Sequence, residues 1–216
     1  MNFNKNMLQA YCIAGSQDLA DHQVLPFLET ALKAGITTFQ LREKGPDAIA
    51  DPQKLVALAR ACRQLTRQYD VPLFIDDNID LALTVGADGI HVGQKDEGIS
   101  AVLAKTAGKL MVGYSCNTPA QIEHANSLTG IDYLGVGAVY PTTSKADAGA
   151  AIGLAKLHDY AQLSTRPIVA IGGITVANAP DVIAAGAAGI SGITIFTLSE
   201  NLPDTVARLK ALDGGV

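Results

Sequence analysis

The chain has 216 residues, a length that suits one large α/β domain, and 48% of them are hydrophobic against 17% charged, too apolar a balance for disorder. Its net charge of -5 speaks against a nucleic-acid binder that works by bulk attraction to phosphate, although a local basic cluster can still capture a small anion. Three cysteines, Cys12, Cys62 and Cys116, are odd in number and lack metal-ligand spacing, which argues against a disulfide framework or a zinc site.

The N-terminal "MNFNKNMLQAYCIAG" is too polar at its start for a signal peptide, and no run approaches about 18 uninterrupted apolar residues, so a cytoplasmic protein without membrane spans is expected. From there, short β-branched runs alternate with longer amphipathic stretches. The predicted strands are 9–15, 37–44, 72–77, 88–94, 110–116, 133–140, 167–173 and 189–196. Helix-like segments follow them at 24–35, 52–69, 78–87, 99–108, 118–128, 153–163, 176–188 and 203–212. Leu55, Leu58, Ala59, Cys62 and Leu65 carry the clearest helical spacing, and several helices run into "AG" or "GA" as C-terminal caps do. Eight strand–helix units imply parallel strands with right-handed crossovers, and eight is the number that closes a barrel. "IAGSQD" after the first strand is not GxGxxG, which disfavours a doubly wound open sheet. The expected fold is therefore a single (β/α)8 barrel over residues 1–216.

Function in such a barrel sits at the C-terminal strand ends. Strand 2 runs "FQLREK", where period 2 puts Phe39 and Leu41 on one face and Gln40, Arg42 and Lys44 on the other, toward the mouth. Inward Arg and Lys need an anionic partner to offset desolvation. Strands 3 and 4 bring Asp76, Asp77 and Asp96 to adjacent ends. Carboxylates crowded there are explained equally by a salt-bridge lattice with Arg42 and Lys44 or by a magnesium ion completed by substrate phosphates.

Later strands supply a second anion site. Gly172 and Gly173 let backbone approach a ligand, and the loops after strands 7 and 8 form the recurrent phosphate site of these barrels. Backbone N–H groups of Gly173, Ile193 and Thr194 are the expected donors. Between the two sites lies "YPTTSK": Lys145 is placed to neutralise a departing phosphate, Thr142 and Ser144 to bond a second ligand, on a loop long enough for a lid.

Together "QLREK", "IDDNIDLALTVGADGIHVGQKD", "GYS", "YPTTSK" and "AIGGIT" resemble thiamine phosphate synthases, in order from Gln40 to Thr194. The resemblance implies condensation of hydroxymethylpyrimidine diphosphate with thiazole phosphate, with loss of diphosphate. Gln40, Arg42, Lys44, Asp76 and Lys145 would then bind the pyrimidine diphosphate, Asp77 and Asp96 a Mg2+ ion, and Ser115 the pyrimidine. Thr142, Ser144, Gly173, Ile193 and Thr194 would hold the thiazole phosphate, with Lys145, Arg42 and Ser115 as the catalytic set. Small-molecule substrates are the expected partners, with no nucleic acid or membrane, and a homo-oligomer is left open.

The chain departs from that pattern at Asp76, where asparagine is usual, and in the exchanged hydroxyls of Ser144 and Thr194. Thiazole tautomerases share the fold but carry a catalytic histidine two residues after the serine of "GYS", where this chain has Asn117. A phosphosugar isomerase would need an acid/base pair in place of the cationic mouth. A non-catalytic binder of thiamine precursors is the remaining alternative. His91 and His124 are read as structural.

Overall fold

A computed structural model describes residues 1–144 and 149–212. Eight parallel strands close into a barrel in sequence order: β1 Ala10–Ala14, β2 Thr38–Leu41, β3 Leu73–Asp76, β4 Gly89–Val92, β5 Met111–Ser115, β6 Tyr133–Val136, β7 Ile168–Ala170 and β8 Gly189–Gly192. Around it lie α1 Val24–Ala34, α2 Pro52–Gln68, α3 Ile79–Val85, α4 Ile99–Thr106, α5 Pro119–Ser127, α6 Gly153–Leu163, α7 Ala179–Ala184, α8 Thr194–Thr197 and α9 Leu202–Lys210.

The helices begin where local chemistry satisfies their first N–H groups. Asp51 accepts from Gln53 and Lys54 and Pro52 opens α2, while Asn78 caps α3 and Thr118 caps α5. Within α2, Ala59, Cys62 and Thr66 are the buried residues, and Leu55, Leu58 and Leu65 pack partly buried against the core. All three cysteines are buried free thiols.

Alternation along the strands creates two cores. Phe39 and Leu41 point outward into the layer shared with the helices, as do Ile90 and Val92. Tyr11, Ile13, Phe74, Met111, Tyr133 and Val169 point inward and fill the barrel. The ring centroids of Tyr11, Phe74 and Tyr133 lie 5.7–5.8 Å apart in tilted and edge-on pairs, the geometry aromatic quadrupoles favour. A 3₁₀ turn at Lys5–Leu8 contributes Met7 and Leu8 to the same inner cluster, and Phe3 stacks on Tyr133. Among the described residues, no helix is long and apolar enough to cross a membrane.

One sequence expectation is corrected. The β-branched "GITIF" reads as the end of strand 8, but β8 stops at Gly192 and Thr194–Thr197 is helical. Gly192 is the last β8 residue that pairs with β1, opposite Cys12, and beyond it the Phe196 and Thr197 N–H groups bond to the Ile193 carbonyl. Without a neighbouring ladder, extended backbone there would leave its polar groups unpaired, and a helical turn satisfies them locally.

Candidate active site

A cavity of about 310 Å³ opens among the ends of β2 and β4 to β8, and its lining includes Lys44, Asp96, Ser115, Thr142, Ser144, Gly173, Ile193 and Thr194. Eight residues singled out from the sequence, on six different strand ends, therefore share one surface. Gln40 lies a layer deeper, opposite Ile13 and Phe74 in the ladder. With Ser115, His91 and Tyr133 it lines a recess of about 20 Å³ beneath the main cavity. Its amide Nε2 is buried with no acceptor among the described residues. Lys145 lies outside the described residues.

Arg42 and Asp76 pair with each other beside the mouth: Arg42 Nε lies 3.4 Å from Asp76 Oδ2, with both side chains about nine-tenths buried. Lys44 Nζ donates to Asp77 Oδ2 at 2.7 Å and lies 3.9 Å from Asp96 Oδ1. Asp77 occupies the left-handed region at φ 57°, which turns its carboxyl toward Lys44 and Asp96. Burial and the neighbouring Asp76 charge push the Asp77 carboxyl up to about 6 against the pull of Lys44, and it hydrogen-bonds to Asp96. Burial also opposes ionisation of Asp96, but the bonds from Asp77 and the Gly93 N–H, with Lys44, hold it below the usual carboxylate range.

This lattice bears on the magnesium expectation. Among the described residues there is no group of three or more His, Cys, Asp or Glu side chains that could hold a metal ion. The candidate donors are two carboxylates, Asp77 and Asp96, close enough to share a proton. That is the hard oxygen set magnesium accepts when water and phosphate complete its shell, and a cation there would relieve the repulsion that raises Asp77. The donors fit the ion.

A pH effect follows for the metal-free protein. Because Asp77 has a folded pKa of about 6 against an ordinary 3.8, the folded chain holds the extra proton between those values. The stability contributed by Asp77 is therefore fully present below pH 4 and is lost as pH rises through 6. Asp77→Asn should raise Tm by about 2–4 °C at pH 8, the scale of roughly 1 kcal/mol for this size after allowance for solvent screening, and by nothing at pH 4. Calorimetric scans at the two pH values check this; an equal change at both would contradict it.

At the opposite end, Gly173 adopts φ 63° and its carbonyl accepts from Asn178 Nδ2 at 3.2 Å, while Asn178 Oδ1 takes the Thr175 N–H. Across the cavity Ile193 caps α8, whose first N–H groups have no intrahelical acceptor. Thr142 Oγ1 lies 3.2 Å from both the Ser144 hydroxyl and its N–H, so these two residues fold together as a local turn.

Three residues outside the expected set complete the geometry. Gln94 lines the cavity and donates from Nε2 to the Ser115 carbonyl at 2.7 Å. In the amide orientation that its neighbours require, the Asn117 nitrogen donates to the carbonyls of Gly137 (2.6 Å) and Cys116 (3.1 Å). His91, read as structural from the sequence, bonds Ser115 Oγ through Nε2 at 2.9 Å. Its signal is positional: on β4 it shares the inward face with Gly89 and Gly93.

The model of the TMP-TENI family, thiamine monophosphate synthase, matches residues 10–196. The chain is 54% identical over 216 residues to a thiamine-phosphate synthase from Pediococcus pentosaceus, with all of both chains covered. It is 46% identical to that of Limosilactobacillus fermentum, covering 98% of this chain and all of the relative. Among solved structures it is similar to a thiamine phosphate pyrophosphorylase from Pyrococcus furiosus, with a TM-score of 0.84, 33% identity and 96% of each chain covered. The likeness runs from β1 through α8 and takes in every strand end described above, and on that ground the chain belongs to the thiamine monophosphate synthase family.

Proposed function

We propose that this enzyme is a transferase that joins 4-amino-2-methyl-5-hydroxymethylpyrimidine diphosphate to 4-methyl-5-hydroxyethylthiazole phosphate, giving thiamine phosphate and diphosphate. One observation carries the reading beyond family membership: a single cavity has two differently built anion ends, with Ser115 between them. Lys44 and Asp96 line one end, with Arg42, Asp76 and Asp77 beside it. Gly173, Ile193 and Thr194 form the other.

The chemistry needs little else. The C–O bond to diphosphate breaks with its electron pair leaving on oxygen, and the thiazole nitrogen gives its lone pair to the resulting pyrimidine methyl cation. No protein nucleophile or general base is required. Arg42 and Lys44 stabilise the charge that develops on the leaving group, and preorganised charge of this kind lowers the barrier more than any other single effect in many enzymes. Lys145 is assigned the same task on its motif alone. Asp77 and Asp96 would hold magnesium, which when bound would supply further charge stabilisation to the diphosphate. Gly173, Ile193, Thr194, Thr142 and Ser144 hold the thiazole phosphate so that its nitrogen faces the cation, which converts a bimolecular encounter into a positioned one. Ser115 faces the pyrimidine in the main cavity, with the buried Gln40 amide in the recess beneath it.

The tautomerase-like alternative is not favoured. Asn117 stands at the histidine position, and a neutral amide does not titrate near neutral pH and so cannot act as the general acid or base a tautomerase needs.

Asp76→Asn should lower KM for the pyrimidine diphosphate about 3- to 10-fold, since one like charge near the diphosphate costs on the order of 1 kcal/mol where water and neighbouring cations screen it nearly as well as bulk solvent. Steady-state kinetics at saturating magnesium measure it; loss of activity would instead show that the Asp76 charge is required, through the metal or through Arg42, and a changed magnesium titration separates the two. The two-substrate reading is tested by two calorimetric titrations. Pyrimidine diphosphate should bind only with a divalent cation, thiazole phosphate should bind without one, and neither should displace the other. Mutual competition would mean one anion site, and the two-substrate reading would fall.

A further inference from the structure

Four side chains from four strands form an unbroken hydrogen-bonded line through the barrel. Tyr11 Oη lies 2.7 Å from Tyr133 Oη, Tyr133 Oη 3.0 Å from His91 Nδ1, and His91 Nε2 2.9 Å from Ser115 Oγ. Both tyrosines are fully buried, whereas Ser115 reaches the main cavity. Gly113 makes the room: a Cβ there would fall on the Tyr133 hydroxyl and within 2.5 Å of His91 Nδ1.

Such a line can be polarised in either direction, and its ends decide which. If Ser115 donates to Nε2, then Nδ1–H donates to Tyr133, Tyr133 donates to Tyr11, and the Tyr11 proton is left over. Tyr133 is the one hydrogen-bond partner Tyr11 has among the described residues, so that proton could be taken up only by a water confined in the narrow recess that Tyr11 also lines. If Tyr11 donates to Tyr133 and Tyr133 to Nδ1, then Nε2 carries the proton and donates to Ser115. The leftover proton is then the Ser115 hydroxyl, which faces the cavity where a ligand can accept it. Holding a water there for that one proton shifts the balance by up to about 30-fold toward the second arrangement, in which the line satisfies its own buried donors. A doubly protonated imidazole would leave the Tyr11 proton to the same confined water, and the Asp96 carboxylate near His91 is the charge that works in its favour.

We propose that His91 is a positioning residue, locked by Tyr133 in the Nε2–H tautomer so that Ser115 presents a proton, not a lone pair, to the substrate. Resting on the reading that Ser115 faces the pyrimidine, the inference also sets what is recognised. A donating Ser115 selects an acceptor atom on the ring edge that faces it from the main cavity. His91 acts through the serine and touches no reacting atom.

The tautomer is read directly from imidazole ¹⁵N shifts of histidine-labelled full-length protein. His91 should appear neutral with its proton on Nε2 at pH 8; a proton on Nδ1, or on both nitrogens, overturns the proposal whatever the substrate. Kinetics give the second arm. Tyr133→Phe should raise KM for the pyrimidine diphosphate about 10-fold, while kcat and the KM for thiazole phosphate move less than about 2-fold. Tyr11→Phe should change all three by less than about 2-fold, because Tyr11 only donates. His91→Gln, whose amide reaches the Nε2 position, should retain binding that His91→Asn loses, which covers the case where Tyr133→Phe folds poorly. In a Ser115→Ala background Tyr133→Phe should add nothing; an undiminished effect there would show that the line does not act through the serine. If Ser115→Ala alone leaves the pyrimidine KM unchanged, the functional assignment of Ser115 fails, an outcome the tautomer measurement tells apart from failure of the relay.

Discussion

Arg42→Ala should lower kcat/KM for the pyrimidine diphosphate about 10²- to 10³-fold, the loss typical when one preorganised electrostatic contact to a developing charge is removed. The arginine is only 7% exposed and its Nε is tied to Asp76, so the guanidinium is held in place before substrate arrives. Removing it also takes a cation from beside a nearly buried carboxylate, and breaking such a pair costs about 3 kcal/mol of stability. The two effects separate in the double variant. Arg42→Ala with Asp76→Asn should recover most of the lost Tm and none of the lost kcat/KM, as followed by thermal melts alongside steady-state rates. Recovery of both would make Arg42 a structural counter-ion to Asp76 and remove it from the diphosphate site.

Gly173→Ala should raise KM for the thiazole phosphate about 10- to 100-fold and leave the pyrimidine diphosphate KM within about 2-fold. At φ 63° an L side chain is disfavoured by about 1–2 kcal/mol. The added Cβ would also meet the Pro141 carbonyl oxygen at 2.6 Å and Tyr140 Cβ at 2.7 Å, so the backbone has to shift. That shift moves the N–H assigned to the phosphate. Initial rates with each substrate varied in turn measure the selectivity, and equal rises in both KM values would show a general collapse of the mouth instead.

Much of this geometry is legible in the sequence because it follows from local rules. Period 2 along "FQLREK" sends Phe39 and Leu41 outward, and the caps at Asp51, Asn78 and Thr118 mark helix starts. Gathering Ser115, Thr142, Ser144, Gly173, Ile193 and Thr194 needs only the knowledge that strand ends converge in a closed barrel. What stays hidden depends on distance across the barrel. Alternation says that Gln40 faces inward but not how deep it lies, because depth is set by strand tilt and stagger. The pairing of Arg42 with Asp76, and of Lys44 with Asp77, is a choice among neighbouring charges that side-chain reach decides. "GITIF" misleads because β-branched residues favour a strand only where another strand is there to pair with it. A lone histidine on a strand, such as His91, carries no motif; its meaning comes from Tyr133 and Ser115, 42 and 24 residues away.

In the proposed reaction the two ends of this cavity bring two phosphorylated substrates together and join them. Incubating the purified protein with both substrates and magnesium, and measuring thiamine phosphate and diphosphate in the same samples, tests that step most directly. Equal amounts of the two products are expected, and none without the thiazole phosphate beyond slow hydrolysis. Folded protein that binds both substrates and releases no thiamine phosphate would contradict it.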